Sequence, residues 1–219
     1  MTNGPQDTLN INEIFFSIQG ESTLMGKPCV FVRLSACDLR CVWCDTAYAF
    51  SDGTEMSIDS IIQKVKEYPC DLVEITGGEP LLQENVHALM KLLCDAGYTV
   101  ILETGGHRDI SIVDARVKRI MDIKCPGSKM EKRNRWENIE SLTSHDEVKF
   151  ILSDQADYEW AKQIIHQYGL AKRCPVLMSP VFHTLENRTL AEWILRDQLN
   201  VQFQLQMHKY IWDPTARGV

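Results

Sequence analysis

Nowhere in this chain does a run of about 18 apolar residues occur, the length that a bilayer-spanning helix requires, so no membrane segment is expected. The opening residues, MTNGPQDTLN, contain no apolar h-region, so export is not expected either and the chain reads as cytoplasmic. Positive charge is scarce as well: 23 Lys and Arg stand against 30 Asp and Glu, a formal net charge of -7. That balance argues against a broad nucleic-acid surface and favours a small-molecule partner. Internal repeats and Pro/Gly/Ser-rich linkers are absent, so nothing divides the 219 residues, and residues 1–219 are expected to form a single domain.

Cysteine is plentiful, but the patterns that give it a structural task are missing. Eight occur, at positions 29, 37, 41, 44, 70, 94, 125 and 174. In a reducing compartment they are not expected to form disulfides. Cys29, Cys70, Cys94 and Cys174 lie in apolar runs and read as small buried hydrophobes. No second Cys-x2-Cys or His pair exists to complete a four-ligand zinc site. What is present is FVRLSACDLRCVWCDTA over residues 31–47, with Cys37, Cys41 and Cys44 in a Cys-x3-Cys-x2-Cys array. Soft thiolates select zinc, cuprous copper or iron-sulfur clusters. On a four-iron cubane, three thiolates leave one iron without a protein ligand and free to bind a small molecule. An open iron points to catalysis. A zinc-binding module without catalysis, or unligated loop cysteines, are the blander readings.

The array follows residues 28–34, a β-branched and aromatic run that predicts a buried strand. Ser57 reads as the N-cap of a helix running to about residue 67 on Ile58, Ile61, Ile62 and Val65. Residues 71–76 form the next strand, ended by Thr76-Gly77-Gly78-Glu79-Pro80, where glycines allow close backbone approach and proline stops the strand. Residues 85–96 place Val86, Leu89, Met90 and Leu93 on one helical face before Gly97, which makes Met90 core and not a ligand. Strands are expected over 99–103, 119–123, 147–152, 175–178 and 201–205. An Asp154-capped helix ends before Gly169, and another carries Leu190, Trp193 and Ile194. Residues 11–22 alone read as an edge strand with Gln19 and Glu21 solvated. His107, in a loop with no visible partner, is expected to be solvated and outside the site. The basic stretch up to Arg135 reads as a mobile surface loop, or else as a lid over an anionic substrate. This alternation predicts an α/β fold with a mostly parallel sheet of about six to seven strands. A closed eightfold barrel usually takes about 250 residues, so an open, partial β/α barrel is expected, with the site at the carboxyl ends of the strands.

The cysteine array, with Trp43 just before its third member, and the Gly-Gly-Glu-Pro turn one β/α unit later resemble the two signatures of the radical S-adenosylmethionine (SAM) superfamily. The resemblance implies a [4Fe-4S] cluster on Cys37, Cys41 and Cys44, with SAM chelating the open iron and yielding a 5′-deoxyadenosyl radical on reductive cleavage. Phe16-Ser17-Ile18-Gln19-Gly20-Glu21 upstream, and Gln206-x-His208-Lys209 with the Arg217-Gly218-Val219 ending downstream, are similar to the 7-carboxy-7-deazaguanine synthase family. That likeness implies conversion of 6-carboxy-5,6,7,8-tetrahydropterin to 7-carboxy-7-deazaguanine with loss of ammonia, a carbon-nitrogen lyase step toward queuosine. By the same likeness, Trp43, Cys44, Asp45, Gly78, Ser128, Ser179, Pro180, Val181 and Phe182 border SAM, and Thr46 holds Mg2+. Ile18, Gln19, Gly20, Arg33, Thr76, His208 and Val219 contact the pterin, and no side chain is assigned a catalytic role of its own. It further implies a cluster loop over 35–53, a substrate-pocket tail over 206–219, a homodimer, and an electron donor such as a flavodoxin or ferredoxin. The chain departs from the family at Ser22 and Ala36, where glycine is common, and after Asp122, where it lacks the commoner Ser-Pro-Lys. A glycyl-radical-enzyme activating protein shares the cysteine spacing, but leaves the Gln19-Gly20-Glu21 and His208-Lys209 motifs without a purpose.

Overall fold

The computed structural model describes residues 7–219, so most of the polar N-terminal stretch lies outside the described residues. Nine strands form one sheet: β1 (Thr8–Ile18), β2 (Pro28–Leu34), β3 (Thr54–Ser57), β4 (Leu72–Gly77), β5 (Thr99–Thr104), β6 (Lys118–Asp122), β7 (Glu147–Leu152), β8 (Val176–Pro180) and β9 (Gln202–Phe203). Their order is β3-β1-β2-β4-β5-β6-β7-β8-β9. From β2 onward every neighbouring pair in that order is parallel, whereas β1 pairs antiparallel with both β2 and β3. The parallel portion has seven strands, and the antiparallel β1 and β3 bring the sheet to nine, above the six to seven expected. The antiparallel flap adds β3, a short polar segment with no period-two pattern to reveal it, and β9 shrinks to two residues. The sheet does not close, as the chain's length led us to expect.

Helices α1 (Ile58–Lys66), α2 (Val86–Asp95), α3 (Gln155–Tyr168) and α4 (Asn187–Asp197) cover its outer face. Ser57 caps α1 by accepting from Ser60 N, Asp154 caps α3 by accepting from Asp157 N, and Gly169 ends α3 in the left-handed region at φ 62°. Side chains alternate across a strand. Val30, Val32, Leu34, Val73, Ile75, Val100 and Leu102 accordingly pack under α1 and α2, and Val148, Phe150 and Leu152 under α3 and α4. Met90 is wholly buried in that packing, as is Cys29 on the inner face; Cys174 is buried, and Cys70 and Cys94 are partly buried. The inner face is apolar at one end, where Phe15, Cys29, Phe31, Leu72, Ile101 and Ile120 cluster. Toward the carboxyl ends of the strands the inward positions turn polar, with Arg33, Thr76, Glu103 and Lys149 lining a cavity of about 590 Å3.

Candidate active site

Two loops at the sheet's carboxyl edge are locked together. After β2 the chain turns through Ala36, which holds φ +75°, and its carbonyl accepts from Glu79 N at 2.8 Å while Leu34 O accepts from Gly78 N at 3.1 Å. A Cβ at Gly78 would lie 2.6 Å from the Ala36 carbonyl carbon and 2.8 Å from Cys37 Cβ. Only glycine allows the Gly-Gly-Glu-Pro loop to press this closely on the cysteine loop. Glu79 is fully buried and accepts from Thr104 Oγ1 at 2.8 Å, Gly105 N at 2.8 Å and Leu81 N at 3.1 Å.

His107 corrects our expectation of a solvated residue. Its side chain is 1% exposed, with Nε2 2.6 Å from Asp38 Oδ1 and Nδ1 3.6 Å from Glu79 Oε2. It bridges the cysteine loop to the glycine loop, a partnership across 69 residues that local sequence does not display. Asp38 also accepts from Arg108 and Arg133. Partial burial opposes its charge, but the His107 bond and these cations prevail and hold the carboxyl down to about 2.

Cys37, Cys41 and Cys44 are free, half-buried thiols, and all three line the cavity beside Trp43, Asp45 and Thr46. Burial pushes the Cys37 and Cys41 thiols up, so a metal would displace protons on binding. Among the described residues no three His, Cys, Asp or Glu side chains converge on a point that one ion could occupy. A cubane asks for no such convergence, because each thiolate takes a different iron. The soft donor set, the shared cavity and the glycine cradle against Cys37 fit an iron-sulfur cluster.

The far wall is charged. Lys149 Nζ lies 2.7 Å from Glu21 Oε2 and also pairs with Glu103. Burial disfavours the Glu21 and Lys149 charges, yet the Lys149 ammonium holds the Glu21 carboxyl below its usual range, and Glu103 and Glu21 raise Lys149. Glu74 goes the other way: burial, then the charge of Glu103, pushes it well up, and it accepts from Gln19 Nε2. Gln19 lines the cavity, but its amide is occupied by Glu74 and by Glu21 N, which donates to Oε1 at 2.9 Å. Arg33 uses Nε on Glu13 at 2.8 Å and lies over the rings of Phe15 and Tyr48, leaving its Nη edge without a partner among the described residues. Lys124, raised by Asp122 at 2.8 Å against the effect of burial, lines the wall nearest Cys41.

Residues beyond β9 close the mouth. Gln206 Nε2 donates to Glu21 Oε1 at 3.0 Å, Met207 N to Gly20 O at 3.0 Å, and Lys209 Nζ pairs with Asp45 Oδ2 at 2.7 Å. Asp45, though 43% exposed, sits at about 2, because Lys209 and Gln206 outweigh what burial does to it. His208, lowered by burial, packs its ring on Gly20, and it lines the cavity with Val219, as do Ile18 and Thr76 across from them. The residues 208–211 form a short helix, α5 (His208–Ile211), which the sequence did not suggest. Val181 and Phe182, just past β8, also line the cavity. Ser128, Ser179 and Pro180 do not: Ser128 is buried with its hydroxyl on Cys125 O at 2.6 Å, and the buried Ser179 hydroxyl has no partner among the described residues.

The reading of residues 11–22 as an edge strand with Gln19 and Glu21 solvated is corrected: β1 lies between β2 and β3, Gln19 is buried, and Glu21 is held inside by Lys149, a partner 128 residues away. Sequence reasoning overlooked Glu74, Glu103, Lys124 and Lys149 as site residues. A signal existed for Glu74, Glu103 and Lys149, each a charge within a largely apolar, buried parallel strand, where charged residues are rarely tolerated without a partner.

The family model of the radical SAM superfamily matches residues 32–168, which holds both locked loops. A curated protein of Chlorobaculum tepidum, 7-carboxy-7-deazaguanine synthase, is 49% identical over 96% of this chain and 97% of its own. A protein of Koribacter versatilis with the same name is 46% identical over 96% of this chain and 100% of its own. The crystal structure of QueE from Escherichia coli superposes with a TM-score of 0.78 at 21% identity, covering 92% of this chain and 95% of that one, and so shares the fold. Three thiols at one end of an open parallel sheet, and relatives that share nearly half of all residues from end to end, make this chain a member of the 7-carboxy-7-deazaguanine synthase family within the radical SAM superfamily.

Proposed function

We propose that this enzyme converts 6-carboxy-5,6,7,8-tetrahydropterin to 7-carboxy-7-deazaguanine, contracting a ring and releasing ammonia. The observation that carries the reading is the cavity itself, with three cluster-competent thiols at one end and a free arginine edge and buried carboxylates facing them. A [4Fe-4S] cluster held by Cys37, Cys41 and Cys44, with SAM bound, would supply the radical chemistry for hydrogen abstraction; such cofactors bring the difficult step, and the protein orients and shields it.

The chain's residues do the rest. Arg33, fixed through Nε by Glu13, offers its Nη edge to the substrate carboxylate, where a guanidinium pairs in fork geometry. Ile18, Gly20 and Thr76 shape the pterin pocket with His208 and Val219, and Gln19 contributes by holding Glu74. Lys149 keeps Glu21 charged and pairs with Glu103 on the cavity wall. Gly78, Trp43, Cys44, Asp45, Val181 and Phe182 line the cavity with the thiols and are assigned to SAM. Ser128, Ser179 and Pro180 would act there only as support, being outside the lining. Thr46 is assigned to Mg2+, a hard cation that takes oxygen ligands, next to Asp45. A homodimer, a cytoplasmic site of action and a flavodoxin or ferredoxin as reductant complete the proposal.

The test is incubation of cluster-loaded protein with 6-carboxytetrahydropterin, SAM and a reductant, followed by mass spectrometry. A product of the mass of 7-carboxy-7-deazaguanine, with SAM recovered, is expected. SAM cleavage without that product would sink the assignment and favour an activating protein.

A further inference from the structure

Cys37 is oriented by residues far from it in sequence. Leu39 N donates to Cys37 Sγ at 3.4 Å, so the peptide between Asp38 and Leu39 aims an N–H at the sulfur. That peptide is pinned through the Asp38 carboxylate. Oδ1 lies 2.6 Å from His107 Nε2, and Oδ2 accepts from Arg108 at 2.7 Å and Arg133 at 2.8 Å. The two arginines are 41% and 48% exposed, and pairs so open to water hold little. His107, at 1%, is the firm partner.

His107 stands on a rigid platform. Gly106, at φ 70°, turns the chain where a Cβ would lie 2.9 Å from Met121 Cγ and 3.1 Å from Asp122 O. The buried Asn138 donates to Gly106 O at 3.1 Å and to Arg108 O at 2.7 Å, gripping the backbone on either side of His107. Arg135 N donates to Gly106 O at 3.3 Å as well, so Arg133 and Arg135 fasten the basic segment here. Lys129, Lys132, Arg133 and Arg135 do not line the cavity, and the segment is therefore not a lid on an anionic substrate. His107 does not line the cavity either, so what it does to the site passes through Asp38.

We propose that His107 is a positioning residue for the cluster: by holding Asp38 it aims the Leu39 N–H at Cys37 Sγ, and so sets how firmly the cluster is retained and at what potential it is reduced. It rests on the reading of Cys37, Cys41 and Cys44 as cluster ligands. Groups that orient metal ligands typically change metal affinity 10- to 100-fold without touching the metal. Hydrogen bonds to cluster sulfurs tune the potential, and an N–H donor favours the more negative, reduced state.

The test compares two amides. In His107→Gln the amide nitrogen reaches the place of Nε2, whereas in His107→Asn it stops near the place of Nδ1, short of Asp38. Parent and variants are loaded with iron and sulfide under argon; iron loss to a ferrous chelator is followed by absorbance, and the midpoint potential by a titration read with electron paramagnetic resonance. His107→Asn should lose iron about tenfold faster than the parent or more, and be reduced at a more negative potential. His107→Gln should stay close to the parent in both. Asp38→Ala removes the other end of the same contact and should match His107→Asn, and combining the two should add nothing. If His107→Asn folds poorly, Asp38→Ala carries the same comparison. Tyr158→Phe, which loses bonds to Trp193 O and Asp197 between α3 and α4, should lower Tm while leaving iron loss and potential unchanged. Iron loss from His107→Asn less than about twofold faster than the parent, an unshifted potential, no rescue by glutamine, or an equal effect of Tyr158→Phe would each overturn the inference alone. A parent that takes up no iron would overturn the cluster reading together with it.

Discussion

Replacing Lys149 with Met tests whether one ammonium holds the charged wall together. The side chain is 4% exposed and its Nζ serves both Glu21, at 2.7 Å, and Glu103. Methionine fills much of the volume but strands two carboxylates in a buried place, and removing one partner of a buried ion pair typically costs about 3–5 kcal/mol. At about 2–4 °C per kcal/mol for a chain of this size, Tm should fall by roughly 6–20 °C. The loss should depend on pH in a set direction. In the parent, Glu21 lies below its ordinary value of 4.5, so its contribution is complete above that pH and is lost as pH falls through the folded value. Without Lys149, burial and the neighbouring carboxylates raise Glu21 above its unfolded value. The variant then loses stability as pH rises and recovers it as pH falls. Thermal melts followed by circular dichroism should show a gap that is widest near pH 8 and narrows toward pH 5. A gap under 2 °C, or one equal at both pH values, would refute the idea that Lys149 neutralises this wall.

Three further outcomes can be checked. A Cβ at Gly20 would overlap the His208 ring, standing 3.0 Å from its Cγ and 3.2 Å from its Cβ. Gly20→Ala should therefore expel the ring and, at about 1–3 kcal/mol for a lost buried contact, raise KM for the pterin roughly 5- to 150-fold. Its Tm should stay close to the parent's, and an unchanged KM would remove His208 from the pocket. Ala36 carries a left-handed φ of +75°, worth about 1–2 kcal/mol of strain, whereas glycine adds about 0.4–1 kcal/mol of unfolded-chain entropy. Ala36→Gly should leave Tm level or slightly raised, and a fall beyond 4 °C would show that the methyl group matters for packing. Cys41→Ala should lower iron per chain after reconstitution and abolish SAM cleavage; turnover by that variant would disprove the ligand assignment.

Ser22 and Ala36, the two positions where the resemblance implied glycine, both adopt positive φ, at 64° and 75°. That left-handed geometry is the kind glycine takes without strain, and here ordinary residues hold it. The helices and parallel strands were legible because apolar spacing and caps such as Ser57 and Asp154 are local signals. The cysteine and glycine loops were legible because they are contiguous. His107 was not, since its partners Asp38 and Glu79 are distant in sequence and meet it only through the order of strands. Lys149 escaped notice for the same reason: its partners come from the β1–β2 turn and from β5. The Arg119–Asp146 pair, bidentate and buried at 2.6 and 2.8 Å, is equally invisible to any local pattern.

The gap in the sheet is spanned without backbone pairing between its edge strands. Gln204 donates to Ser22 O at 3.0 Å, Gln206 to Glu21 and Met207 to Gly20, so the turn after β1 meets the segment after β9 through a handful of separable bonds. Such a seam can open contact by contact while every ladder stays intact. A two-ring heterocycle can thereby enter a chamber otherwise walled by strands, and the aperture's width becomes adjustable by side-chain substitution rather than by adding a strand.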